Sequence, residues 1–277
     1  MSIAIVVLTH ARLPLLRQCV ENVIVRTSAQ TSEILVWDNG SDDGTTEYLA
    51  LVDDPRIRVV SSPTNVGMVA YGRAIAMTRA PYVIQLDDDV VDAPREWDAR
   101  LLEAFCAFPR MAWLAADLQD NPSDRASYDR HYTDTYVKTT ENGIDFLIGP
   151  TGGWCTMTSR KIYDEVGGLP ITSKLVYFST DTLYVDKIWN AGYKYAILPS
   201  VRVRHSGDAA GAAPPPHKAR FHEREAAIQR RKDRVKRVLL RLPGVRAANR
   251  RRGWFHDPDQ PALRHPGEKS VDRETLP

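Results

Sequence analysis

The chain reads as an α/β protein: a mostly parallel central sheet flanked by helices, with a basic helical extension toward the C-terminus. Three observations lead there. Apolar runs rich in β-branched residues, at 3–8, 33–37, 57–60 and 82–86, alternate with segments of helical periodicity. Three of these runs end in polar or acidic residues (Thr9, Asp38 and the triplet Asp87-Asp88-Asp89), where an open α/β sheet presents the carboxyl ends of its strands to ligands. The composition, 43% hydrophobic and 26% charged, is that of an ordinary globular chain.

Each element has its own justification. Residues 3–8 form a buried first strand, and a helix starts near Leu13-Pro14, because Pro is accommodated in a first turn. In that helix Leu15, Leu16, Cys19, Val20 and Val23 recur at helical spacing and face the sheet. The second strand, 33–37, runs into the turn-forming loop 38–45, which also offers helix caps. A helix over 46–51, a strand over 57–60 and a helix from Gly67 to about Thr78 follow, and then the strand 82–86. Further on, a helix over 97–108 and a strand over 111–116 are predicted, while the polar, Tyr-rich stretch 118–148 reads as an irregular loop. Helices over 159–166 and 182–190 and two closing strands, 195–198 and 201–203, complete the body.

No apolar run approaches the roughly 20 residues of a membrane span. The first residues lack a basic n-region and a cleavage site, so they read as a strand and not a signal peptide. Cys19, Cys106 and Cys155 are odd in number and widely spaced, which argues for small buried hydrophobes in a reducing cytoplasm and against a disulfide framework. The net charge of +2 conceals an asymmetry. Residues 218–252 hold 14 Lys/Arg against 3 acids, whereas residues 1–217 hold 20 against 27.

The acidic triplet is the strongest chemical signal. Three adjacent carboxylates at the end of a hydrophobic strand repel one another and call for a cation, most naturally a divalent metal held by oxygen ligands. A solvated turn is the alternative for the triplet seen alone.

Four motifs in order, Val6-Val7-Leu8-Thr9, Asp38-Asn39-Gly40-Ser41-Asp42-Asp43-Gly44-Thr45, Asn65-Val66-Gly67 and Asp87-Asp88-Asp89, resemble the N-terminal half of the family-2 glycosyltransferases. The acidic loop is one residue longer than the commonest spacing. The later segments Gly152-Gly153-Trp154, Gly167-Gly168-Leu169 and Asp181 followed by Ala191-Gly192-Tyr193 are similar to that family's second half, and the resemblance covers roughly residues 2–206. It departs at Thr180, where Glu is usual, at Leu183, where a second Asp is usual, and at Arg73, where Asn is common.

The resemblance implies a GT-A fold and metal-dependent, inverting transfer from a nucleotide-diphosphate sugar, UDP first among donors, to a saccharide, lipid-linked or small-molecule hydroxyl. It implies a catalytic domain over 1–206, with a nucleotide-sugar half (1–92) and an acceptor half (93–206). Asp181 falls on the catalytic base, and Mn²⁺ or Mg²⁺ would be held by Asp87, Asp89 and His205. Thr9, Arg12, Asp38, Asn65, Gly67, Arg73, Asp87 and Asp88 would line the donor site, with Asp38 on the base and Asp88 on ribose or donor sugar. Gly153, Trp154 and Thr180 would face the acceptor. For Asp38 an Asx-turn, for Asn65 and Gly67 a plain turn, and for Trp154 packing beside the core stand as structural alternatives.

Other classes fare worse. A sugar-1-phosphate nucleotidyltransferase wants a Gly-rich basic loop after the first strand, and a dinucleotide oxidoreductase wants Gly-x-Gly-x-x-Gly; Leu8-Thr9-His10-Ala11-Arg12-Leu13 is neither. The departures at Thr180 and Leu183 keep a catalytically degenerate nucleotide-sugar-binding protein open. Residues 207–217 read as an Ala/Gly/Pro linker, 218–252 as a basic amphipathic helical segment and 253–277 as a disordered tail. The basic segment suits an anionic membrane surface, self-association or docking on the body; without aromatic interleaving it does not read as a nucleic-acid site. A cytoplasmic protein, free or peripheral at the inner membrane face, is the expectation.

Overall fold

Residues 3–9 send successive side chains into two different apolar layers, which is why they form the central strand: Ile3, Ile5 and Val7 join one buried cluster and Val6 the other. The structure, a computed structural model, describes residues 1–119, 136–149, 151–169 and 180–206, together with residues 227, 230–232, 234–242 and 244–245. In chain order the elements are β1 (Ile3–Thr9), α1 (Leu13–Arg26), β2 (Thr31–Asp38), α2 (Thr45–Ala50), β3 (Ile57–Ser61), α3 (Val69–Met77), β4 (Tyr82–Asp87), β5 (Val90–Asp92), α4 (Trp97–Ala107), β6 (Met111–Leu118), β7 (Val137–Glu141), β8 (Ile144–Ile148), β9 (Cys155–Ser159), α5 (Arg160–Glu165), α6 (Thr180–Asn190) and β10 (Lys194–His205).

The sheet runs in the order β3-β2-β1-β4-β9-β6-β10-β8-β7, with β5 paired to β10. From β3 to β4 the pairing is wholly parallel. Beyond β4 it is mixed: β9 is antiparallel to both β4 and β6, β10 is parallel to β6, and β8 and β7 close the edge as an antiparallel hairpin. Leu16, Cys19, Val20 and Val23 of α1 and Trp97, Leu101 and Phe105 of α4 cover one face. Ala70, Tyr71 and Ile75 of α3 and Tyr184 and Ile188 of α6 cover the other. The parallel strands are therefore buried on both sides, which accounts for their unbroken apolar runs.

Several expectations need correction. The stretch 118–148 is not wholly irregular, since residues 137–148 form the β7–β8 hairpin around Asn142-Gly143, both at positive φ. Its outer strand is largely exposed, so its polar side chains hid the pattern. The two closing strands are one, β10, whose pairing to β6 jumps register between Leu198 and Arg202, across Pro199. Cys106 is exposed, unlike Cys19 and Cys155, and all three thiols are free. The chain divides into two units, Met1–Gly211 and Ala212–Pro277. The predicted linker, 207–217, and tail, 253–277, lie outside the described residues. No described helix is long and apolar enough to cross a membrane.

Candidate active site

Parallel register brings the strand-end residues to one edge of the sheet. Thr9 lies opposite Asp38 across β1–β2, and Leu8 opposite Asp87 across β1–β4. Strand β9 begins at the same edge because it is antiparallel to β4, and the Asp87 N–H donates to the Trp154 carbonyl at 2.8 Å. β10 arrives there at its C-terminal end, where His205 pairs with Val90 of β5 and the Ser206 N–H donates to the Asp89 carbonyl at 2.8 Å.

Asp87, Asp89 and His205 thus converge, each offering one ligand atom, all within 4.8 Å of one another. His205 Nε2 lies 2.9 Å from Asp89 Oδ1 and 3.6 Å from Asp87 Oδ2. Asp89 Oδ1 is buried and accepts no well-aligned hydrogen bond. Tyr71, fully buried on α3, donates its hydroxyl to Asp87 Oδ1 at 3.0 Å and so leaves the other oxygen facing His205. An oxygen-rich set with one imidazole, in which the buried Asp89 Oδ1 faces His205, fits a divalent cation such as Mn²⁺ or Mg²⁺.

The cation that the triplet demands is supplied in part by the chain itself. Arg12 places Nη1 2.9 Å from Asp88 Oδ1 and Nη2 2.7 Å from Asp89 Oδ2, while the Thr9 hydroxyl donates to Asp88 Oδ2 at 2.8 Å. Arg12 reaches there because Ala11, just ahead of α1, adopts φ +50° with its N–H donating to the Ser41 hydroxyl at 2.9 Å. Burial raises the Asp88 carboxyl to about 7 against the opposing charge of Arg12. Burial also works to raise Asp89, yet His205 and Arg12 hold it well below its ordinary value. Despite burial, hydrogen bonding to Asp87 and Asp89 pushes the His205 imidazole up to about 10.

Asp181, in the first turn of α6, stands apart from that cluster. Its Oδ2 accepts the Gly153 N–H at 3.0 Å, and its buried Oδ1 accepts no hydrogen bond. Burial and then the charge of Asp87 raise its carboxyl to about 6, opposed by the Gln85 amide and the Gly153 N–H. Gly153 is required by space: a Cβ there would collide with the Gln85 amide nitrogen and lie 2.9 Å from both oxygens of Asp181.

The remaining predicted residues lie outside these two groups. Asp38 is 1% exposed, and its oxygens accept the Ser41 N–H at 2.9 Å and the Thr46 hydroxyl at 2.7 Å. Through these bonds it braces its own loop. Asn65 likewise turns its own loop, accepting the Gly67 N–H at 2.8 Å, with Gly67 at φ +71°. Trp154 is buried, at 4% exposure, with its indole N–H donating to the Ala116 carbonyl at 2.8 Å. Arg73 is exposed on α3, and the Thr180 side chain lies outside the described residues.

Three residues escaped the sequence reading. Tyr71 and Gln85 steer the two carboxylates. Asn39 clamps two loops, donating to Asn65 Oδ1 at 2.9 Å and accepting the Val66 N–H at 2.9 Å. Of these only Asn39 carried a signal, as part of the motif at 38–45.

Such an arrangement, a carboxylate–imidazole cluster able to hold a cation and a separate raised carboxylate at the strand ends of an α/β sheet, lies where domains of this class bind ligands. Residues 4–167 match Glycosyl transferase family 2, more than half of the chain, and the chain belongs to that family. Among curated proteins it is similar to the uncharacterized protein y4gI of Sinorhizobium fredii, 24% identical over 83% of this chain and 27% of that protein. Among solved structures it resembles GalNAc-T7 with UDP, GalNAc and Mn²⁺ (TM-score 0.55, 18% identity, 74% of this chain and 44% of that one). It also resembles the mannosyltransferase PcManGT of Pyrobaculum calidifontis with GDP-Man and Mn²⁺ (0.55, 18%, 76% and 58%) and S. aureus TarS residues 1–349 (0.51, 15%, 74% and 60%). At these identities the likeness speaks for the fold, the GT-A fold. The chain spans about a quarter of the curated relative and roughly half of the solved ones.

Proposed function

We propose that the chain is a metal-dependent, inverting glycosyltransferase that moves a sugar from a nucleotide-diphosphate donor to an acceptor hydroxyl in one displacement. The observation that carries this reading is the pairing of the Asp87–Asp89–His205 cluster with an independently held Asp181. Mn²⁺ or Mg²⁺ bound by Asp87, Asp89 and His205 would supply Lewis-acid stabilisation to the departing diphosphate. The protein's own residues do the rest. Tyr71 aims Asp87, while Arg12 and Thr9 hold Asp88 and Asp89 in register. Asp181 Oδ1, free of hydrogen bonds, takes the proton of the acceptor hydroxyl as that oxygen attacks the anomeric carbon opposite the diphosphate. Attack from that face inverts the anomeric configuration.

UDP is the first choice of nucleotide and GDP the second, since nucleotides of both kinds accompany Mn²⁺ in structures of the same fold. The test is calorimetry of UDP, GDP and dTDP against the whole chain, with and without Mn²⁺, on wild type and Asp89→Ala, with melting curves to check that the variant folds. One nucleotide is expected to bind in a Mn²⁺-dependent way that a folded Asp89→Ala loses. Absence of binding for all three sinks the proposal, and binding without turnover of any donor sugar leaves a degenerate binding protein in its place.

A further inference from the structure

The C-terminal unit carries a feature with no part in that chemistry. Residues 230–232 and 234–240 are helical; on that helix Val235, Val238 and Leu239 follow the spacing i, i+3, i+4, and Leu242 follows two residues past its end. All four side chains are exposed, by 53%, 56%, 37% and 54% respectively. A stripe of aliphatic side chains at helical spacing left in water indicates a surface that meets something apolar. Arg230, Arg234, Arg237 and Arg241 follow i, i+4, i+7, i+11 on a face flanking the stripe, and residues 230–242 hold seven Lys/Arg against the single acid Asp233.

We propose that this helix lies flat on an anionic lipid surface, with the Val/Leu stripe in the acyl boundary and the arginines among the headgroups. The two faces require a partner that is apolar in one layer and anionic in the next, which a bilayer interface is. Long arginine side chains reach outward from an inserted helix and keep their charge in water. A second copy of the same helix would bury the stripe only by bringing two rows of arginine together. Nucleic acid would satisfy the arginines and leave the aliphatic stripe without a use. The inference is independent of the proposed catalysis, because it uses none of the residues of the strand-end site.

The test is co-sedimentation of the full chain with sucrose-loaded vesicles, either phosphatidylcholine alone or equal parts phosphatidylcholine and phosphatidylglycerol, at low and high salt. Wild type is expected to sediment with the mixed vesicles at low salt and to remain in solution with the neutral ones. Val235→Asp/Leu239→Asp should abolish sedimentation. Arg230→Gln/Arg234→Gln/Arg241→Gln should lower partitioning by about a hundredfold, near fivefold for each charge lost. All of these positions are exposed, so unchanged melting of the catalytic unit verifies folding. The proposal is overturned if wild type ignores the mixed vesicles or if both variants partition as wild type does. It is equally overturned if the chain is a dimer that Val235→Asp/Leu239→Asp dissociates, or if it holds duplex RNA more tightly than the mixed vesicles.

Discussion

The two halves of the sheet contribute to one site in different ways. In the parallel half, β3-β2-β1-β4, Thr9, Asp38 and Asp87 sit at the ends of their strands and Asp88 and Asp89 follow directly, so local sequence motifs and the site coincide. In the mixed half the contributors are separated: Gly153 before β9, Asp181 in α6 and His205 at the end of β10. The parallel half is organised around charge, with Arg12, Thr9 and Tyr71 holding three carboxylates. The mixed half is organised around access to a proton, with Gly153 leaving room for Asp181. On the proposed function, damage at Asp181 should cut turnover, and damage to the cation cluster, to which the mixed half contributes His205, should cut metal-dependent nucleotide binding.

That separation can be broken experimentally. The largest effect is expected from Asp181→Asn, which keeps the shape and removes the base: donor turnover should fall about a thousandfold. Nucleotide affinity should stay unchanged by calorimetry, and a parallel loss of affinity would mean that the halves are not separable. Gly153→Ala comes next, because the added methyl meets the Gln85 amide and the Asp181 carboxylate. Displacing the base by a fraction of an ångström should cost about a hundredfold in turnover. Tyr71→Phe tests the other half. Loss of the hydroxyl that aims Asp87 should weaken Mn²⁺-dependent nucleotide binding about tenfold by titration, and an unchanged Mn²⁺ midpoint would count against this role for Tyr71.

The smallest change concerns pH. Asp181, raised to about 6, accepts a proton only in its ionised form, so turnover should decline as pH falls through that value. Part of the rise comes from Asp87, and a cation bound there offsets it, so the acid limb should shift below about 6 when metal saturates. An acid limb that stays in place in Asp181→Asn would assign it to another group.

Legibility followed the same division. β1, β2 and β4 could be read directly because double-sided burial produces unbroken apolar runs, and their terminal Thr9, Asp38 and Asp87 needed only parallel pairing to meet. β7 was hidden because an edge strand with an exposed face has no apolar period to show, and β10 because Pro199 interrupts its pattern without ending the strand. For Trp154 the sequence left acceptor contact and core packing side by side, since the bond of its indole to the Ala116 carbonyl has no local signature. Tyr71 and Gln85 could not have been found by motif, since a buried tyrosine on an apolar helix face looks like core until its hydroxyl is seen to reach Asp87.

The closure of β5 against β10 has a consequence for biosynthesis. Asp89 receives the Ser206 amide and faces His205, both contributed by residues made more than a hundred positions later. As the chain leaves the ribosome, β1 to β4 can pair and cover themselves with their helices while the cation cluster still lacks its imidazole. A nascent chain ending short of residue 205 would carry the acidic triplet neutralised by Arg12 alone. On the proposed function, cation capture would thereby be deferred until β10 has emerged.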